Sequence, residues 1–165
     1  MISIRKLKKE DVYTVHEYSS DFENTYYMLN NPVSTLDETK AFVEKCIEAY
    51  EMNPIPYLSM AVLWNDVHIG EVFASISGEE ADIGWIINKN YWGKGYATEA
   101  AKLFMDYLSN EFGIKKFAAY CDARNYASQK VMEQIGLQFI GRNGARIYKK
   151  NVTDGEELMY SYTRL

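Results

Sequence analysis

The sequence predicts a mixed α/β domain, with one sheet of six or seven mostly antiparallel strands and helices on both faces. Three observations predict it. Alternating apolar runs succeed one another between Leu58 and Ile87 with only turn residues between them, which is an antiparallel meander. The chain then reads strand, helix, strand up to Cys121, a βαβ unit that joins parallel strands by a right-handed crossover. Helical apolar periods lie on either side of the meander. The chain has 165 residues and no Pro/Gly/Ser linker, repeat or single-sign charge block, so one domain spanning 1–165 is expected.

Taken in order, Ile2 and Ile4 alternate with polar residues as a first strand, and Val12, Val15 and Tyr18 mark a short helix over 9–20. Asp21–Pro32 has no clear period and reads as loop. Thr35 followed by Glu38 is a capping box, and Phe42, Val43, Cys46, Ile47 and Tyr50 form one helical face that stops before Asn53-Pro54. Leu58 to Trp64, Val67 to Ile76 and Ala81 to Ile87 are strands, separated by turns at Asn65-Asp66 and at Ser77-Gly78-Glu79-Glu80. Asn88–Gly95 is a loop. Ala97, Ala100, Ala101, Phe104 and Leu108 make a helix ending near Asn110, and Phe117–Cys121 is a buried strand. A further helix runs from about Ala127 to Gly136, and Leu137–Gly141 and Leu158–Thr163 close the chain as two strands of a long hairpin.

Composition narrows the function. With 18 basic against 23 acidic residues, the net charge of −5 argues against a nucleic-acid partner, which would draw a basic excess to its phosphates. The longest apolar runs, Met60–Trp64 and Phe117–Cys121, are far too short for a membrane span. The start reads as a strand and lacks a signal-peptide apolar region, so a cytoplasmic protein is expected. Cys46 and Cys121 sit in apolar segments and make no disulfide framework. His16 and His68 have no metal-ligand spacing, so no metal is expected.

The chemistry lies in Asn90-Tyr91-Trp92-Gly93-Lys94-Gly95-Tyr96-Ala97, between a strand and a helix. Glycines there let the backbone approach a ligand, and the helix's first turn offers free N–H groups and a partial positive charge. Two readings stand: a phosphate site or a plain strand-to-helix turn. The spelling excludes a P-loop, and Thr98 replaces the third glycine of a dinucleotide fingerprint.

The stretch Ala81–Ala101 resembles the coenzyme A motif of the GNAT N-acetyltransferase superfamily, Arg/Gln-x-x-Gly-x-Gly/Ala between the fourth strand and third helix. Trp92-Gly93-Lys94-Gly95-Tyr96-Ala97, with Asn125-Tyr-Ala-Ser128 and Ile135-Gly-Leu-Gln-Phe-Ile-Gly141, resembles the ribosomal-protein (Rim-type) branch. Asn90 stands where the motif commonly has Gln or Arg. The resemblance implies a sheet splayed between its fourth and fifth strands, with acetyl-CoA as co-substrate. Asn90, Trp92, Gly93, Lys94, Gly95, Tyr96, Ala97, Asn125 and Ser128 would hold the coenzyme. Ile86 and Ile87 would contact the pantetheine arm through their main chain, and an N–H near Trp85 would polarise the thioester.

For the departing thiolate, many superfamily members place a Tyr where this chain has Met132; the Rim-type branch points instead to Ser128, which reads equally as a cap or first-turn residue. For the amine's proton, hairpin pairing about Gly78-Glu79 puts Glu71 opposite Ile86 and Ser75 opposite Asp82, and pairing about Asn65-Asp66 puts Met60 opposite Glu71. Glu71 between apolar neighbours would carry a raised pKa. Asp82, in the Glu position of the family's Glu-Ile-Gly-Tyr phrase, is the second candidate, and ordered water the third. The acceptor would be a primary amine, from a protein N-terminus or a small molecule. It would be met by the aromatic loop Asp21–Val33 and the hairpin Gly141–Gly155 with Arg142, Arg146, Lys149 and Lys150. A homodimer is common in the family. The competing expectation is a degenerate acyl-CoA-binding sensor, kept open by Met132.

Overall fold

The computed structural model describes residues 1–164. Its strands are β1 Ile2–Lys6, β2 Tyr57–Trp64, β3 Val67–Ser77, β4 Glu80–Ile87, β5 Lys116–Asp122, β6 Gln138–Arg146 and β7 Gly155–Thr163. They form one seven-stranded sheet in the order β1-β2-β3-β4-β5-β7-β6. Every neighbouring pair is antiparallel except β4 and β5. The expected mixed sheet is therefore present, and the last strand in sequence lies inside the one before it.

Four helices cover the sheet: α1 Val12–Ser19, α2 Leu36–Ala49, α3 Tyr96–Phe112 and α4 Tyr126–Gln134. Alternation along the strands sends side chains to two separate cores. Ile69, Val72, Ala74, Ile83 and Ile87 pack with Ala100, Phe104 and Leu108 of α3 and Met132 of α4. Ala61, Leu63 and Ile86 pack on the other face with Val15 and Tyr18 of α1 and Val43 and Cys46 of α2. No helix among the described residues is long and apolar enough to cross a membrane.

Local chemistry explains most boundaries. The Thr35 hydroxyl accepts the Glu38 N–H at 3.2 Å, as the capping box requires, while the Glu38 carboxylate reaches the Ser34 N–H at 3.3 Å rather than that of Thr35. The third helix runs past Asn110 to Phe112 and stops at Gly113. The β3–β4 register is the expected one, with Glu71 opposite Ile86 and Ser75 opposite Asp82. The β2–β3 register is not: Ala61, not Met60, faces Glu71, because a bulge between Val62 and Leu63 leaves Ile69 unpaired and shifts the ladder by one.

Candidate active site

The parallel pair β4–β5 is joined only at Glu80↔Lys116, Ala81↔Phe117 and Asp82↔Ala118. Past Asp82 the two strands part, since β5 continues against β7 while Ile83–Ile87 pair only with β3. This leaves one backbone edge of β4 open for about 17 Å, taking roughly 3.4 Å per residue. The open edge is the wedge expected between the fourth and fifth strands.

Alternation decides which backbone groups face the wedge. The Asn88 N–H donates to the Ile69 carbonyl at 2.7 Å, so it points toward β3. Counting back, the main-chain groups of Ile86 and Gly84 also face β3, and those of Ile83, Trp85 and Ile87 face the wedge. The Ile86 carbonyl accordingly lies against Gly70 of β3. The main-chain groups of Ile86, expected to meet the pantetheine arm, therefore face β3, and those of Trp85 face the wedge. The Ile87 carbonyl is already taken, since it accepts from the Trp92 indole N–H at 2.7 Å and from Asn24 Nδ2 at 3.0 Å.

The open edge leads into the glycine loop. Gly93 and Gly95 have φ of +75° and +78°, values that side-chain-bearing residues avoid, and a Cβ on either would meet no atom within 4 Å. The glycines therefore answer to backbone shape and to open space, not to packing. Gly95 caps the 17-residue α3 without any side-chain acceptor. No acceptor among the described residues meets the N–H groups of residues 93–98, and α3 adds its positive dipole end there. A cradle of free donors at a helix start fits a phosphate group. Asn90 and Lys94 are exposed beside it. The Tyr96 ring is occupied otherwise: it stacks on Trp64 at 5.8 Å, with Tyr91 on the same indole at 6.1 Å, and so pins the loop to β2. Ala97 is half-buried against the core under α3.

Across the wedge, Asn125 caps α4. Its Oδ1 accepts the Ser128 N–H at 3.2 Å and its Nδ2 donates to the Ser128 hydroxyl at 3.1 Å. Ser128 is therefore the first-turn residue of α4 rather than its cap, with a hydroxyl held by Asn125. Met132 is buried among the apolar side chains.

The two carboxyl candidates occupy different surroundings. Asp82 is exposed at the last β4–β5 pair, where the wedge opens, and burial followed by Glu80 raises its pKa. Tyr120, on the same face of β5, is half-buried there, its phenol pushed up by burial and by Asp82. Glu71 is sealed in the α1/α2 core at 4% exposure. Its Oε1 accepts from the Ser59 hydroxyl at 3.3 Å, the Tyr18 hydroxyl lies against the same carboxyl, and burial pushes its pKa up to about 7. His68 is enclosed nearby against Thr14 and the Gly70 carbonyl, its pKa lowered by burial, in keeping with a structural role. Among the described residues no His/Cys/Asp/Glu group could hold a metal ion.

The expected basic patch on the last hairpin is largely consumed within the fold. Arg146 pairs with Glu157 at 2.8 Å and donates to the Tyr27 carbonyl at 2.7 Å. Lys150 reaches the Thr25 carbonyl, and Arg142 pairs with Glu156. Only Lys149 keeps an exposed side chain without an ion pair, though its N–H donates to the Leu29 carbonyl at 2.8 Å. At the wedge end of the hairpin, fully buried Asp122 accepts from Arg124 and, at 2.8 Å, from the Tyr148 hydroxyl, which with the other Arg124 contacts holds its pKa near about 2. Phe22, Tyr26 and Tyr27 stand edge-to-face at 5.8 and 5.0 Å in the loop that this hairpin grips.

Comparison with known proteins agrees with this geometry. A family model described as Acetyltransferase (GNAT) domain matches residues 2–138. A Bacillus subtilis (strain 168) protein named "Uncharacterized N-acetyltransferase YnaD" is 34% identical over 96% of this chain and 89% of its own length. A Vibrio cholerae spermidine N-acetyltransferase, solved in complex with CoA and spermine, superposes with a TM-score of 0.85 at 18% identity, covering 99% of this chain and 95% of that one. The RimL ribosomal L7/L12 α-N-protein acetyltransferase, solved with coenzyme A, gives a TM-score of 0.84 at 16% identity, covering 99% and 94%. The wedge, the uncapped helix behind its glycine loop and the family match over most of the sequence lead to one assignment: this chain belongs to the GNAT family of acetyltransferases.

Proposed function

We propose that the protein transfers the acetyl group of acetyl-CoA to a primary amine, either a protein N-terminal α-amine or a small-molecule amine. The observation that carries the reading is the open β4 edge, the main-chain groups of Ile83 and Trp85 with the Ile87 N–H, running toward the unbonded N–H groups of residues 93–98. An extended pantetheine arm would pair with that edge as an added strand, and the coenzyme's pyrophosphate would sit on Gly93, Lys94, Gly95, Tyr96 and Ala97. In this reading Asn90 and Trp92 border the bound pyrophosphate, and Asn125 and Ser128, at the start of α4, contact the coenzyme from β5's side. The Rim-type wording of the loop, and the coenzyme in two similar folds, support the same coenzyme here.

In this reading the Trp85 N–H polarises the thioester carbonyl. The amine attacks that carbon, a C–N bond forms and the C–S bond breaks. The amine's proton passes to Asp82, directly or through water, because Asp82 is exposed at the last β4–β5 pair, whereas Glu71, on β3 opposite Ile86, is sealed in the α1/α2 core. The Ser128 hydroxyl passes its proton to the departing thiolate and regains one from solvent.

The second reading, an acyl-CoA sensor without turnover, is favoured by Met132, a core side chain where many superfamily members carry an acid. Thiol release from acetyl-CoA, followed with spermidine and with a peptide bearing a free α-amine, separates the two. The expected result is amine-dependent thiol release with at least one of them. Tight coenzyme binding with no release for any primary amine would establish the sensor instead.

A further inference from the structure

The loop between α1 and α2 is stitched at both ends to the two halves of the wedge. On the coenzyme side, Asn24 acts as a stand-in peptide unit. Its Oδ1 accepts the Lys89 N–H at 2.6 Å and its Nδ2 donates to the Ile87 carbonyl at 3.0 Å, closing off the last residue of β4. The Lys89 ammonium adds pairs to half-buried Asp21 at 2.8 Å and exposed Glu23 at 3.1 Å. The Ile87 carbonyl is shared: one lone pair goes to Asn24, the other to the Trp92 indole of the glycine loop. On the far side, the same loop is held by Arg146 at the Tyr27 carbonyl, by Lys150 at the Thr25 carbonyl, and by the Tyr27 hydroxyl donating to the Arg124 carbonyl at 3.3 Å, one residue before the α4 cap.

We propose that Asn24 is a positioning residue that transmits occupancy of the glycine loop to the aromatic strap of residues 21–33, so that coenzyme binding sets the wall against which the acceptor amine is received. The proposal rests on the coenzyme reading above. The physical step is short. A ligand in the cradle fixes the loop that carries Trp92 and Lys89, and both meet Asn24 at the Ile87 carbonyl or directly. Two hydrogen bonds from one planar amide transmit position and angle together. The Lys89 ion pairs transmit less, because they lie at the surface, where water screens them and the long side chain stays mobile.

Hydrogen exchange of the full-length protein, with and without coenzyme A, tests this without knowing the acceptor. In the wild type, saturating coenzyme A slows exchange in residues 93–98 and also slows it in 21–33, by about tenfold or more. In Asn24→Ala, residues 93–98 remain protected by coenzyme A while the with-to-without ratio in 21–33 falls to near one. Asn24→Asp, which keeps the acceptor for Lys89 and loses the donor to Ile87, lies between. Lys89→Ala retains the coupling. A merely structural role for Asn24 would speed exchange in 21–33 equally with and without coenzyme and leave the ratio intact, and that result would overturn the proposal. Protection of 93–98 without any change in 21–33 of the wild type would overturn it too, and would leave the coenzyme reading standing. Protection of neither segment would overturn the coenzyme reading itself.

Discussion

Glu71→Gln is expected to stabilise the protein at pH 8 by up to about 3 kcal/mol and to leave its stability at pH 4 almost unchanged. The carboxyl is sealed among Ala61, Ile86, Tyr18 and Cys46, and burial raises its pKa from 4.5 to about 7, against the smaller opposing pull of the Tyr18 and Ser59 hydroxyls. Below pH 4.5 the group is protonated in both folded and unfolded chains and costs nothing. As pH rises from 4.5 to about 7, the unfolded chain releases the proton and the folded one keeps it, so stability falls through that window. Above about 7 the penalty is constant. Gln keeps hydrogen-bonding partners for Ser59 and Tyr18 and has no charge to bury. His68, lowered by burial, works in the opposite sense as pH falls, but it is present in both proteins and drops out of the difference. Urea unfolding of both proteins at pH 4 and pH 8 gives the result. Parallel pH dependences would show that the Glu71 carboxyl reaches water. Catalysis should change little, because Glu71 has no open path to the wedge.

Asp82→Asn is the counterpart in activity. It is expected to lower kcat by about 10²-fold or more, with little change in KM for acetyl-CoA, as loss of a general base does. The isosteric amide keeps the side chain's shape at the last β4–β5 pair and removes its ability to take a proton. The acidic limb of the kcat–pH profile should disappear with it. Because burial and Glu80 raise the Asp82 pKa, that limb in the wild type should lie above the ordinary Asp value. A kcat within threefold of wild type, with the acidic limb intact, would assign proton removal to water.

The fold was largely legible in the sequence, because local chemistry sets it. Thr35 and Glu38 mark the start of α2, Gly78 sets the β3–β4 register, and the period of Ala97 to Leu108 marks α3. What was not legible has non-local causes. The bulge that puts Ala61 rather than Met60 opposite Glu71 adds one residue to a strand with no turn residue to announce it. The position of β7 between β5 and β6 is equally silent, since a hairpin names its partners and not which of them lies inward.

At the site, the glycine loop was readable from spelling, while the fate of its neighbours was not. Arg146 and Lys150 look like a solvent-facing basic patch, yet their acceptors, the Tyr27 and Thr25 carbonyls, lie 119 and 125 residues away. Asn24 is one polar residue in an aperiodic loop until the fold brings it to Ile87, 63 residues on. Tyr120 is one residue inside a buried strand's apolar run, Phe117–Cys121, and it is the divergence of β4 from β5 that opens the wedge beside it.

Calorimetric titration with acetyl-CoA beside ADP tests whether the cradle behind β4 holds acetyl-CoA. The wild type should bind acetyl-CoA at a micromolar Kd, about −8 kcal/mol, and bind it more tightly than ADP, because the β4 edge adds contacts to the pantetheine arm. Gly93→Val with Gly95→Val should abolish binding by straining the loop and filling the cradle. Gly95→Asn, whose side chain tolerates φ of +78° and projects into the same open space, should weaken binding by tenfold or more while the thermal midpoint stays near wild type. Equal affinity for acetyl-CoA and ADP, or binding indifferent to both glycines, would show that the cradle is no acetyl-CoA site and that the loop is a structural turn.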